Sequence, residues 1–213
     1  MMFGSMQIEI RDGDEAPAQP SGVRIGMRRD RPVTLRLFRP QGTRIAVLAS
    51  AVPAQLVAMR AAAIGATVRV QSPRPQAWGA VVRHGADVSV APPGAGLPPP
   101  GTSHAPVLIV DDRPVEVGGL GDAGAWQCRL DLRAVTSPAD LGALSHADVL
   151  VFGQVSSAVA TTLATMMGLN MSLIGQLSAI GPGSVALVTR GAIQYVALDP
   201  SPAEGQLLAQ SAR

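Results

Sequence analysis

The stretch RIAVLASAVPAQLVAMRAAAIGATVRV, residues 44 to 70, constrains the fold more than any other part of the chain. RIAVLA is an apolar run of strand length, and Pro53 suits the first turn of a helix reaching about Ile64. Gly65 stops that helix, and TVRVQS supplies a second strand. Strand, helix and strand in this order make a βαβ unit, whose crossover is nearly always right-handed. On the helix, Leu56, Met59, Ala63 and Ile64 form the apolar face, and Arg60 is almost its only charge. A nucleotide-binding fold writes glycines, and often a Lys, into the turn after the first strand, because the backbone must approach phosphate closely. Here that turn reads Ala49, Ser50, Ala51, Val52, Pro53, and all 17 basic residues of the chain are Arg. The unit is therefore expected as a scaffold; the helix N-terminus at Ser50 offers an anion no more than a weak site.

The alternation continues. PQAWGAVVRHG predicts a short helix with Trp78, Val81 and Val82 inward, and ADVSVA a third strand. Residues 92 to 106, PPGAGLPPPGTSHAP, are too rich in Pro and Gly for regular structure and read as a surface excursion. VLIVDD resumes the sheet, a loop spans 113 to 125, and WQCRLDL and ADVLVFG are further strands on either side of the short segment SPADLGALSH. Helices are expected between Ser156 and Ile180, then SVALVT and IQYVAL as a hairpin turning at Arg190 and Gly191. Ahead of the βαβ unit, QIEI, VRIGM and VTLRLF alternate with period two; in the last, Val33, Leu35 and Leu37 face inward and Arg36 outward. The expectation is a three-layer α/β fold, Rossmann-like, with a mostly parallel sheet. It has a β lead-in over 1–40, an α/β domain over 41–200 with the Pro/Gly-rich loop 91–106 and a C-terminal β-hairpin, and a tail over 201–213. A chain of 213 residues suffices for one such domain with appendages. MMFGSMQIEI lacks the charged head and apolar run of a leader peptide, and residues 1–5 read as lying ahead of a start at Met6.

Asp111 and Asp112 are the most catalytic-looking pair, two carboxylates at the carboxyl end of a buried strand, where α/β ligands sit and an acid can hold Mg²⁺. The alternative is a polar turn capped by its own aspartates. His84, His104 and His146 are scattered and lie far in sequence from the single Cys128, which reads as a small buried hydrophobe in a reducing compartment. Ser184, in GPGSVAL, follows a glycine turn but opens a strand, so no nucleophile elbow is present.

Val149 to Thr189 contains no Asp, Glu, Lys, Arg or His in 41 residues. Three readings compete for it: a membrane span, a buried helix pair, or a pair that covers the sheet with one side and docks a protein partner with the other. Gly168, Asn170, Gln176 and the Ser and Thr content count against the span. Val155, Val159, Leu163 and Met166 share helical spacing, opposite Ser157, Ala160, Thr161 and Ala164, and Met166, Met167 and Met171 suit an adaptable contact. The one local excess of charge runs from Arg24 through Arg28, Arg29, Arg31, Arg36 and Arg39 to Arg44. A net charge of +2 falls short of a nucleic-acid binder.

The segment GMRRDRPVTLRLFRPQGTRIAVLASAVPAQLVAMRAAAIGATVRVQSPRPQAWGAVVRHGADVSV, residues 26 to 90, resembles the C-terminal cytosolic region of EccE, a component of the actinobacterial type VII (ESX) secretion machinery. The likeness rests on G-x-x-R-D-x-P-V, a strand ending in a small-residue turn, and an Ala-rich helix that ends in G-A-x-V-x-V. It implies a non-enzymatic structural subunit at the cytoplasmic face of the inner membrane, beside EccB, EccC and EccD components, attached through them or through an upstream anchor. It implies no catalytic residue, cofactor or metal. Contacts are expected at Val155, Val159, Met166 and Met171 and at the Arg28, Arg29, Arg31 corner, with a homodimer as a corollary. The competing expectation is a nucleotide or nucleotide-sugar dependent enzyme, with Asp111 and Asp112 on a metal and Ser50 near a phosphate.

Overall fold

The computed structural model describes residues 22–113, 122–134, 137–144, 146–170, 172 and 174–211. QIEI and Met171 therefore lie outside the described residues, as does most of the loop expected over 113–125. The strands are β1 (Gly22–Arg28), β2 (Arg31–Arg36), β3 (Thr43–Leu48), β4 (Thr67–Gln71), β5 (Val88–Ala91), β6 (Val107–Asp111), β7 (Gln127–Leu132), β8 (Val149–Phe152), β9 (Ser184–Thr189) and β10 (Ala192–Leu198). The helices are α1 (Ala51–Ala63), α2 (Gly79–His84), α3 (Ser157–Met167), α4 (Ile174–Ser178) and α5 (Pro202–Ser211), with 3-10 turns at Pro75–Trp78 and Pro138–Leu144.

All the strands join one sheet in the order β2-β1-β10-β9-β8-β3-β7-β6-β4-β5. From β8 to β5 the neighbours run parallel; from β8 to β2 they run antiparallel. The fold is the expected three-layer, Rossmann-like α/β architecture, with two departures. First, β3 and β4 do not pair: β7 and β6 lie between them, so α1 crosses two intervening strands. Second, the lead-in is no separate unit, because β1 pairs with β10 and extends the same sheet. Gly26 permits that pairing, since a Cβ there would lie 2.1 Å from the Ala197 carbonyl oxygen. The β1–β2 turn places Arg29 and Asp30 at φ 45° and 63°, the left-handed pair a two-residue hairpin requires.

Strand alternation sorts the interior into two layers. Ile45, Val47, Val68, Val70, Leu108, Val110, Leu130 and Val149 face α1, α2 and α5; Ala46, Leu48, Leu150, Phe152, Ala186 and Val188 face α3 and α4. Because α2, α5 and β1 wrap it, α1 is buried almost all round, from Pro53 to Met59 and at Ala61. Its exposed side falls at Ala63, which was expected in the apolar face, and Ile64 is half-buried. Val82 likewise points outward while Trp78 and Val81 are buried. Residues 201–213, expected as a tail, hold α5: Arg60 donates from Nε and Nη2 to Glu204, each at 2.8 Å, and from Nη2 to the Asp199 carbonyl at 2.9 Å. Phe38, beyond the end of β2, is fully buried, whereas Arg36 is exposed as the alternation predicts.

The α3 and α4 layer ends at β3. Beyond it, on the same face, the Pro-rich segment 92–106 lies across the sheet: Gln71 Nε2 donates to the Ala95 carbonyl at 2.7 Å and Gln127 Nε2 to the Pro98 carbonyl at 3.4 Å.

Candidate functional site

The carboxyl ends of β3, β4, β6, β7 and β8 share one edge of the sheet. After β3 the chain turns into α1 over one face; after its neighbour β8 it turns into α3 over the other. Such divergence opens a crevice, the usual ligand position in α/β sheets. Here a cavity of about 720 Å³ lies between Ser50 and Gln154 and reaches Gly181 and Gly183, and one of about 500 Å³ continues past Ser50 to Arg74, Arg113 and Arg133. Gly153 keeps the two turns close, since a Cβ there would lie 3.1 Å from the Ala49 Cβ. Ser50 occupies the N-cap of α1 without a side-chain capping bond, and the first turn carries no acidic residue.

The two aspartates beside the crevice point to opposite faces. Asp111 Oδ1 accepts from the backbone N–H and Nε of Arg113 at 3.1 and 2.7 Å; Oδ2 accepts from Arg113 Nη2 at 3.0 Å and Arg133 Nη2 at 2.8 Å. Burial works to raise the Asp111 pKa, but the bonds from Arg113 and Arg133 outweigh it and hold the carboxyl below its ordinary value. Asp112 accepts from Ser72 Oγ at 2.7 Å, Arg74 Nη2 at 2.7 Å and Trp78 Nε1 at 3.0 Å. With four donors on Asp111 and three on Asp112, these residues do not fit the metal-holding role weighed for them. Neither oxygen of Asp111 has a lone pair to spare, and the adjoining guanidiniums repel a cation. Among the described residues no three His, Cys, Asp or Glu gather. His84, His104 and His146 are exposed on separate segments, and burial pushes the Cys128 thiol far above its usual range, leaving it unreactive. Ser184 opens β9, as a turn residue should.

Of the expected docking residues, Val159 is a correction. It is 2% exposed and packs with Leu163, Leu150 and Phe152 in the core, because α3 turns that side onto the sheet. Val155 and Met166 are half-buried against the same cluster. The outward side of α3 is instead Ser157, Ala158, Thr161 and Thr165. Arg28, Arg29 and Arg31 are exposed at the β1–β2 hairpin tip, Arg28 opposite Arg31.

Sequence reasoning missed the arginine staple. Arg133 Nη1 donates to the carbonyls of Asp111, Arg113 and Leu132 at 3.2, 3.0 and 3.1 Å, tying the ends of β6 and β7 together. Arg129 and Asp131 precede it on the same strand face, both largely buried. The signal was present in WQCRLDL: Gln127, Arg129 and Asp131 alternate with Cys128, Leu130 and Leu132, and a strand inside a parallel sheet is buried on both faces. The chain matches no protein-family profile and has no significant sequence match among curated proteins.

Proposed function

We propose that this domain is a non-catalytic assembly module that docks a protein partner on the outward surface of α3. The observation that carries this reading is the state of that surface. It has no charge, and both its threonine hydroxyls are already bonded within the helix: Thr161 Oγ1 donates to the Ser157 carbonyl at 2.9 Å and Thr165 Oγ1 to the Thr161 carbonyl at 3.1 Å. A partner can cover such a surface without leaving polar groups unpaired and without ordering long side chains. The partner class is the one implied by the resemblance, a type VII secretion component of the EccB, EccC or EccD kind at the cytoplasmic face of the inner membrane; a second copy of the chain is the symmetric case. Among the described residues no helix is long and apolar enough to cross a membrane, so attachment there would run through partners or through an upstream anchor. The test is a double variant, Thr161→Arg with Thr165→Arg, assayed by sedimentation for self-association and by pull-down on those components. Loss of the complex with unchanged melting is expected; a complex of undiminished strength rejects the surface.

One observation favours a second reading, the nucleotide or nucleotide-sugar dependent enzyme: the crevice beside Ser50 stands at a topological switch point. That reading requires a saturable, Mg²⁺-dependent rise in melting temperature with a nucleotide or nucleotide sugar. The assembly reading requires none.

A further inference from the structure

Arg129 lies in the middle of β7, in register with Ile109 of β6 on one side and Arg44 of β3 on the other. It is 1% exposed, and its Nε, Nη1 and Nη2 have no hydrogen-bond partner. Beside it, Arg44 Nε and Asp131 Oδ1 are buried and make no hydrogen bond. The charges around it are engaged with one another. Arg113 and Arg133 share Asp111, Arg133 stands 3.8 Å from Asp131, and Arg44 reaches the exposed Asp122 at 3.5 Å. Arg129 itself enters no ion pair among the described residues. Nearby, Arg39 pairs with Asp148 and Arg69 with Asp87.

A guanidinium does not shed its proton in a protein, so burial cannot neutralise Arg129 as it neutralises a Lys or an Asp. Water could take up its N–H groups but would leave the charge uncompensated in a region of low dielectric. A planar fork of donors is matched by a carboxylate or a phosphate group, which answers both needs at once. We propose that Arg129, with Arg44 Nε beside it, binds a small oxyanion on the sheet face next to the segment 92–106. The site is distinct from the crevice at Ser50. Asp131 lies beside it on the same strand face, and burial raises its pKa despite Arg133 and Arg129 nearby.

The test uses the whole chain at fixed pH and ionic strength, with chloride exchanged for inorganic phosphate in one series and acetate in another. A saturable rise in melting temperature is expected, and the better of the two salts identifies a phosphate or a carboxylate ligand. Arg129→Met should weaken the apparent affinity at least about tenfold, the loss expected for a charge-assisted hydrogen bond. Arg74→Met, at the crevice, should leave it unchanged. Independently of any variant's folding, the ¹⁵Nε resonance of Arg129 should move along the same titration. The proposal is overturned if neither salt gives a saturable shift, if the response survives in Arg129→Met, or if it disappears in Arg74→Met instead.

Discussion

One face of the sheet is closed in two ways. Over β8, β9 and β3 the strands present Leu150, Phe152, Ala186, Val188, Ala46 and Leu48, and the cover is α3 and α4. On the next strand, the same face of β7 presents Gln127, Arg129 and Asp131, and a neighbouring cover is the irregular segment 92–106. Burial is similar in both regions; the cover differs. A helix satisfies its own backbone and asks only for apolar surface, whereas an irregular segment brings carbonyls that need donors, here the amides of Gln71 and Gln127. The 41 uncharged residues from Val149 to Thr189 thus follow from helical closure, and the arginines of β7 belong to the half without it.

The largest effect should come from forcing charge into the helical half. Val159→Arg places a guanidinium in the apolar cluster of Leu163, Leu150 and Phe152, at a cost of about 4 kcal/mol or more. Loss of the cooperative melt in circular dichroism is expected; wild-type melting would mean that α3 does not close the sheet. In the polar half, Asp111→Ala leaves Arg113 and Arg133 without their carboxylate and should cost about 3–5 kcal/mol by urea unfolding. Asp111→Asn keeps the shape and one acceptor oxygen and should cost less. Equal losses for the two would show that the charge, which both variants remove, secures that edge rather than the shape, which Asn keeps.

A polar tie at the margin of the opposite face sharpens the contrast because it titrates. Hydrogen bonds from Arg60, then the backbone bond from Ser201, hold Glu204 at about 2 against an ordinary 4.5, despite burial. The folded pKa lies below the unfolded one, so the unfolded chain binds more protons in between. The contribution is therefore complete above about pH 4.5 and lost as pH falls toward 2. It should amount to about 3 kcal/mol. Glu204→Gln should lower stability at pH 7 by a similar amount and flatten the acid limb of the stability curve.

Most elements were legible because period-two and helical patterns are local. RIAVLA, VLIVDD and SVALVT fell where β3, β6 and β9 lie, and Gly191 marked the hairpin. Strand order was not legible: nothing in residues 44 to 70 foretells that β6 and β7, arriving later, insert between β3 and β4. The same is true of Arg60, whose partner Glu204 stands 144 residues away. Val159 was misread for a third reason. Helical spacing gathers Val155, Val159, Leu163 and Met166 on one side but does not say which side meets the sheet; in a helix without charges, no polar face marks the outside.

The smallest effect on stability, and the sharpest cut through the comparison, lies two residues from the largest. Thr161 is exposed, and its hydroxyl is spent on the Ser157 carbonyl, a back-bond that slightly disfavours a helix. Arg has the higher helix propensity and reaches water freely there, so Thr161→Arg should change stability by no more than about 0.5 kcal/mol. The same guanidinium would then abolish folding at position 159 and be tolerated at 161. Paired melts of the two variants measure this directly. If Thr161→Arg destabilises by several kcal/mol, the outward side of α3 is already packed, and it is no surface for a partner. If it melts as wild type yet fails to assemble, the uncharged side of the helix is kept for contact, which the core alone does not require.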